Sequence, residues 1–322
     1  MNLLPMGDKK ELYRKFCSQE KELPVFLKDW WLDAACGSSG WDVAVYENAG
    51  EIYGVMPYPV RKRWGMTSIA MPRITNFIGP WIKYPPDQKY ASRLSHEMEV
   101  LRELVAQLPA FSFYRQRFHY SIKNWLPFYW AKFDQTTRYS YIVQLDSLDA
   151  VFAGFKSNIR GKIRKAEKEV RVSFDFSLKD FDRLHGMTFK RQGLQLPFTF
   201  DYLQRLDNAL DKNGSRKIFF AVDEQNRLHS AAYLTWDGTS SYLHMVGEDP
   251  ELRNSGAGIL LVWEAMKYTH TVLGLKKFDF LGSMIEPIEI VRRSFGAEQV
   301  PYFQVKKINS TLLRLLSVFR PI

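Results

Sequence analysis

The same succession of short apolar runs and turns occurs twice in this chain, and no other feature narrows its fold as much. In the first half, strand-like runs lie at 41–46, 51–61 and 67–71, separated by turn residues at 47–50 and at Trp64-Gly65. A periodic helix at 90–108 follows, with Leu94, Met98, Leu101, Leu104, Val105 and Leu108 on one face, and then a strand at 111–117. An earlier helix is expected at 24–36, where Pro24 suits the first turn and Gly37 is a stop. In the second half, strands at 217–223, 228–236 and 240–246 lead through a loop to a helix at 255–273 and a strand at 277–281. The repeat is one of pattern, not of identity. It predicts an α/β (α+β) fold of two tandem mixed-sheet units packed together, residues 1–150 and 151–322.

Composition fits two packed cores. The chain has 322 residues, of which 46% are hydrophobic and 15% aromatic, well above the range of disordered sequences. Its apolar runs fall short of the roughly 20 residues that span a bilayer, and no integral membrane segment is expected. Residues 1–16 mix acids and bases without an apolar stretch, which argues against a secretory signal. Cys17 and Cys36 are too few for a disulfide framework or a cysteine zinc site, and buried reduced thiols in a cytoplasmic protein are expected. The six histidines are scattered, so no metal is expected. A formal charge of +10 favours anionic partners such as nucleotides, phosphates, RNA or lipid surfaces. Between the halves, residues 151–171 put Ile159, Ile163, Ala166 and Val170 on one helical face and Arg160, Lys162, Arg164, Lys165 and Lys168 around the rest. That helix reads as an interdomain helix with a solvated charged face, or as a basic face for a phosphate-bearing partner. The tail at 312–319 is amphipathic. Docking on its own domain is the expectation, with a membrane or a second subunit as the other readings, and a homo-oligomer is compatible with the sequence.

The strongest local signal is Arg253-Asn254-Ser255-Gly256-Ala257-Gly258, which follows a strand and opens the apolar helix Ile259-Leu260-Leu261-Val262-Trp263. A helix N-terminus exposes backbone N–H groups and a partial positive charge, and both stabilise an anion. Glycines let phosphate oxygens approach the backbone, and Arg253 adds a charged donor. The loop lacks the Gly-Lys-Ser/Thr of a Walker loop and the spacing of the dinucleotide fingerprint. An ordinary glycine-rich helix entry is the plain alternative.

Arg-x-x-Gly-x-Gly between strand and helix resembles the acyl-CoA signature of the GCN5-related N-acetyltransferase (GNAT) superfamily. The stretch Lys276-Lys277-Phe278-Asp279-Phe280-Leu281-Gly282-Ser283, then Ile288 to Ala297 ending in Phe295-Gly296-Ala297, is similar to the Fem-like branch, as is the segment Phe155 to Ala166. The resemblance covers roughly residues 152–307 by motif, and the first half only in layout. It implies a bacterial-type acyltransferase with two tandem GNAT units. The amides of Ser255, Gly256, Ala257 and Gly258, with Arg253 and Asn254 beside them, would hold the pyrophosphate of an anionic nucleotide donor, acyl-CoA or acetyl-CoA. The strand near Met245-Val246-Gly247 would pair with the pantetheine arm, and the Val246 amide would face the thioester oxygen. The first half has Gly79-Pro80-Trp81 and Pro85-Pro86 at the corresponding place, where proline lacks the N–H. One donor site, in the second half, is therefore expected.

Acyl transfer to an amine needs a proton acceptor, donors for the oxyanion and an acid for the leaving thiolate. His244, Glu248 and Asp249 are the candidate bases, although His244 also reads as a strand histidine and the two acids as caps of the helix entry. Tyr302 is the candidate acid. The pairs Asp279 with Ser283, and Glu286 with Glu289, read as structural or as sites for a cationic acceptor. Three functions follow. The first is acyl transfer from acyl-CoA to an amine or hydroxyl of a small-molecule or cell-envelope precursor. The second is Fem-type transfer of an amino acid from aminoacyl-tRNA to a peptidoglycan precursor. The third is a non-catalytic binding protein that keeps the fold.

Overall fold

The computed structural model describes residues 6–282 and 284–319. The chain has a mixed α/β fold and divides into two compact units, one running to Arg138 and resuming at Pro301, the other spanning Tyr139–Val300. The sequence pattern puts the division at 150/151, inside a helix. Packing puts it at 138/139 and 300/301, because a late strand returns to the first unit.

The first unit opens with helix α1 (Met6–Gln19), a 3₁₀ turn (Val25–Leu27) and α2 (Asp29–Cys36). Strands β1 (Trp41–Asn48), β2 (Glu51–Pro59), β3 (Arg61–Arg63), β4 (Met66–Ala70) and β5 (Trp81–Ile82) follow, then α3 (Tyr90–Ala106), β6 (Phe113–Arg117) and α4 (Leu126–Trp130). The expected helix at 24–36 is thus broken after Leu27, and α1 was not signalled by its weak apolar period. Strands β1, β2 and β5 form one sheet, so Gly79-Pro80-Trp81 leads into an edge strand rather than into a helix. The third strand of the pattern, β4, leaves β2 and pairs with β3 and, in parallel, with β6. Val100, Leu101 and Leu104 of α3 are buried against Tyr114, Phe118, Phe128 and Phe133. Burying each such side chain contributes about 1.5–3 kcal/mol.

The second unit begins within β7 (Asp134–Gln144) and continues through α5 (Leu148–Gly154), α6 (Ser157–Glu169), β8 (Arg171–Ser173), α7 (Leu178–Arg191) and α8 (Phe200–Lys212). Then come β9 (Arg216–Val222), β10 (Leu228–Trp236), β11 (Ser241–Glu248), α9 (Ala257–Thr271), β12 (Lys277–Asp279) and α10 (Glu286–Ser294). Its strands lie in the order β7-β12-β11-β10-β9-β8. Ala232 and Leu234 of β10 join the core that contains Leu260, Leu261, Ala265 and Met266 of α9, while Tyr233 between them packs on Phe181 of α7. Both faces of the sheet are therefore covered, which is why β9 to β11 read as nearly continuous apolar runs. The basic helix α6 buries Ile159, Ile163 and Ala166 in the same core, so it is built into the unit. Strand β13 (Glu298–Ile308) returns to pair with β6, and α11 (Thr311–Phe319) follows it. Leu312, Leu315 and Leu316 of α11 are exposed, so the apolar stripe is not docked at those positions.

Candidate functional site

The loop joining β11 to α9 is a 3₁₀ turn at Arg253–Ser255 followed by Gly256 as the N-cap of the helix, at φ +76°. A Cβ at 256 would stand 3.0 Å from the Lys162 carbonyl oxygen, so α6 lies against the loop and glycine is required there. Lys165 Nζ adds a bond of 2.6 Å to the Asn254 carbonyl. The basic helix thus braces the loop.

Of the four amides expected to face a donor, three are bonded inside the loop. Ser255 N–H donates to Leu252 O at 3.2 Å and Gly256 N–H to Arg253 O at 3.1 Å. Ala257 N–H donates to Ser255 Oγ at 3.3 Å. Gly258 N–H, in the first turn of α9, has no bond of this kind among the described residues. Beside it stands an acid. A Cβ on Gly258 would lie 3.3 Å from Glu248 Oε1, and Arg253 Nε donates to Glu248 Oε2 at 2.7 Å. A carboxylate held by an arginine therefore sits at the entrance of α9, where the helix terminus favours negative charge. An open amide and a guanidinium that already holds an anion fit an anionic group.

Buried polar residues fix the loop from below. His229 on β10 bonds Ser255 Oγ through Nδ1 at 2.9 Å and Asp223 Oδ2 through Nε2 at 3.0 Å. Burial alone would raise the Asp223 pKa, but bonds from His229 and from the Arg227 backbone and side chain hold it well below the usual carboxylate range. The order Asp, His, Ser has the look of a hydrolase triad. Ser255 Oγ also meets Leu252 O at 2.8 Å and accepts from Ala257 N–H at 3.3 Å, so its other bonds stay inside the loop and the group acts as a clip for it.

Strand β11 pairs with β12 only at Ser241↔Phe278 and Tyr242↔Asp279; its remaining residues run on past the end of β12. Tyr233 pairs with Met245 and Leu234 with Leu243, so His244 is the extra residue of a β-bulge. It is buried, edge-on to Tyr233 at 6.0 Å. Val246 is 42% exposed. Its carbonyl accepts from His185 Nδ1 at 2.7 Å, and Glu248 N–H donates to Thr188 Oγ1 at 2.9 Å. Alternation along the strand puts the Val246 N–H on that same edge. Gly247 lets α7 approach, since a Cβ there would be 2.6 Å from His185 N. Asp249 N–H bonds His229 O and its side chain caps Glu251 N–H, so this acid turns the chain.

His185 and His229 were not singled out in the sequence. His185 stands on α7 among Phe181, Phe189 and Phe198, and burial lowers its pKa despite the bond to Val246. A carbonyl can only accept, so Nδ1 of this neutral ring carries the proton and Nε2 a lone pair. Its apolar neighbours at 181 and 184 give the helix face, but only the fold shows that it meets β11. Tyr302 lies on β13 in the first unit, buried, edge-on to Phe77 at 5.1 Å and accepting from Arg138 Nε at 3.4 Å. Asp279 accepts from Ser140 Oγ at 2.5 Å and Leu281 N–H at 2.7 Å, and burial raises it to about 6. Its expected partner Ser283 lies outside the described residues. Glu289 is paired with Arg293 at 2.8 Å, and Glu286 is exposed. Among the described residues no His, Cys, Asp and Glu cluster could hold a metal ion.

Residues 153–288 match the family model described as the acetyltransferase (GNAT) domain. No curated protein is significantly similar in sequence. Among solved structures, the chain is similar to FemX, with a TM-score of 0.68, 14% identity and 98% of each chain covered. It is also similar to L-PGS from Bacillus licheniformis, with a TM-score of 0.52, 11% identity, and 99% and 97% of the two chains covered. A conserved protein of unknown function from Bacteroides thetaiotaomicron gives 0.54, 11%, and 95% and 98%.

Proposed function

We propose that this chain, whose fold is that of the Fem-like branch of the GNAT superfamily, is an acyltransferase that moves an acyl group, acetyl in the first instance, from acyl-CoA to an amine or hydroxyl of a small-molecule or cell-envelope precursor. The observation that carries this reading is the entrance of α9, where Arg253 already holds the Glu248 carboxylate as an internal anion beside Gly258, whose N–H is open. The CoA pyrophosphate would bind there, with Asn254 to Ala257 shaping the loop. The Val246 amide, on the edge of β11 beyond its pairing with β12, would face the thioester oxygen. Displaced from Arg253, the Glu248 carboxylate would take the proton of the attacking nucleophile. His244 and the lone pair of His185 are the other bases. A cytoplasmic site of action goes with such a donor.

The second reading is transfer of an amino acid from aminoacyl-tRNA to a peptidoglycan precursor. The likeness to FemX over nearly the whole of both chains favours it, and the +10 charge is compatible with it. Thermal unfolding separates the two. A saturating donor at about 100 times its dissociation constant adds about 2.7 kcal/mol of stability. A shift of several degrees with acetyl-CoA supports the first reading. A shift with aminoacyl-tRNA alone, disappearing steeply as salt is raised, supports the second. No shift with either removes both.

A further inference from the structure

In the first unit, the end of the sheet that holds β3, β4, β6 and β13 carries exposed aromatic, aliphatic and cationic side chains. The turn between β3 and β4 is Trp64-Gly65, with φ +51° and +70°, a tight two-residue hairpin. Trp64 is 77% exposed, and the guanidinium of Arg63 lies 4.0 Å from its ring centroid. Arg61 and Lys62 are exposed beside it.

The register places α11 at the same end. Strand β4 runs parallel to β6, with Ser68 opposite Phe113, so the turn that precedes β4 lies at the start of β6. Strand β13 runs antiparallel to β6 and reaches Ile308 opposite Phe113. Backbone bonds from Ser112 N to Thr67 O, and from Asn309 N and Ser310 N to Ser112 O, tie the three strands there. Helix α11 starts at Thr311, with Leu313 half-buried and Leu312, Arg314, Leu315 and Leu316 exposed. Strands β3, β4 and β6 and helix α11 contain no Asp or Glu, while β13 begins at Glu298, at its far end, and the neighbouring β7 begins at the exposed Asp134. The sheet itself carries Arg61, Lys62, Arg63, Arg115, Arg117, Lys306 and Lys307.

We propose that this end of the first unit, formed by the Trp64 hairpin and α11, docks on the surface of an anionic lipid membrane. Tryptophan at the headgroup level, leucines below it and arginines or lysines on lipid phosphates are the chemistry of a peripheral interfacial site. No helix among the described residues is long and apolar enough to cross a membrane, so the attachment is to the surface. The leucines decide against RNA, since a phosphate polymer gains nothing from an aliphatic face. The excess of positive charge decides against a second copy of the same face.

The test is sedimentation of the full chain with phosphatidylcholine vesicles and with vesicles that also contain phosphatidylglycerol. Binding is expected only to the second kind and falls as salt is raised. Each cation neutralised at Lys62 or Arg63 should weaken it about fivefold, since one basic residue near such a surface is worth about 1 kcal/mol. Trp64→Ala and Leu315→Asn should weaken it as well, whereas Lys212→Glu in the second unit should not. All five positions are exposed, and unchanged melting temperatures establish that the variants fold. Absence of binding to the anionic vesicles overturns the proposal, and so does binding that survives Trp64→Ala with Leu315→Asn. Binding of tRNA that needs Lys62 and Arg63 but ignores Leu315, without vesicle binding, makes the face a nucleic-acid site. Self-association lost in Leu315→Asn, again without vesicle binding, makes it a dimer contact.

Discussion

Arg253 Nε donates to Glu248 Oε2 at 2.7 Å, while the other oxygen of the same carboxylate stands over Gly258 at the entrance of α9. The ion pair occupies the position that suits a phosphate, and it joins the proposed base to the proposed donor site. A partly exposed pair of this kind is worth little to stability, on the order of 0–1 kcal/mol, so a doubly charged donor can replace it.

Glu248→Gln should therefore separate binding from chemistry. Without the carboxylate, Arg253 is released and acetyl-CoA should bind several-fold more tightly, as measured by calorimetric titration. Transfer at saturating donor should fall by about 10²-fold or more, the usual contribution of a general base. Weaker donor binding in this variant would contradict the displacement of Glu248, and an unchanged rate would move the base to His244 or His185.

Asp223 makes the loop sensitive to acid. Its folded-state pKa is depressed, so its contribution to stability is complete above the ordinary aspartate value of about 3.9 and is lost as pH falls below it. The melting temperature of Asp223→Asn should lie below that of the parent at pH 6, and the gap should close on acidification. A gap that stays constant would show that the His229–Ser255 clip does not depend on the carboxylate.

Asp279 has the opposite sign. Fully buried, with Oδ2 unbonded among the described residues, it is raised to about 6. The proton it holds in the folded state stabilises the fold at low pH, and that stabilisation is lost as pH rises from about 4 through about 6. The loss is on the order of 3 kcal/mol, at 1.36 kcal/mol for each unit of pKa. Asp279→Asn can still accept from Ser140 and Leu281 N–H. It should be more stable than the parent at pH 8 and no more stable at pH 4, by urea unfolding.

Two glycines should respond in opposite directions. Gly247→Ala puts a methyl into the α7 backbone and should cost about 1–3 kcal/mol while breaking the His185 and Thr188 bonds to β11. Gly161 lies inside α6 with nothing within 4 Å of its Cβ position. Gly161→Ala should stabilise by about 0.8–1 kcal/mol. Equal effects in chemical denaturation would contradict the close approach of α7.

The strands and helices around the donor loop could be read from the chain because each is a periodic apolar run ended by a turn. Strand β11 and helix α9 fall within two residues of the positions their residues suggested. The bracing of the loop could not. Asp223 and His229 face each other across the turn from β9 to β10, and Ser255, 26 residues on from His229, meets them only when the loop is in place. Helices α7 and α8 bury Phe181, Leu184, Leu203 and Leu206, but loop-like residues between them hid the pattern. Strands β7 and β13 were missed because they leave one unit for the other, and a boundary argued from local signals cannot anticipate a returning strand. Arg253 looked like a donor to phosphate, whereas the folded chain gives it Glu248 as an internal anion.

Calorimetric titration of acetyl-CoA into the parent and into Gly258→Val tests the donor site most directly. The variant puts a side chain at the entrance of α9, with its Cβ 3.2 Å from Ser230 Oγ and 3.3 Å from Glu248 Oε1, without demanding a left-handed backbone, and an unchanged melting temperature establishes that it folds. The account predicts one site per chain in the parent and binding weakened about tenfold or more, at least 1.4 kcal/mol, in the variant. Equal affinity in the two proteins, or no binding in the parent, would contradict it.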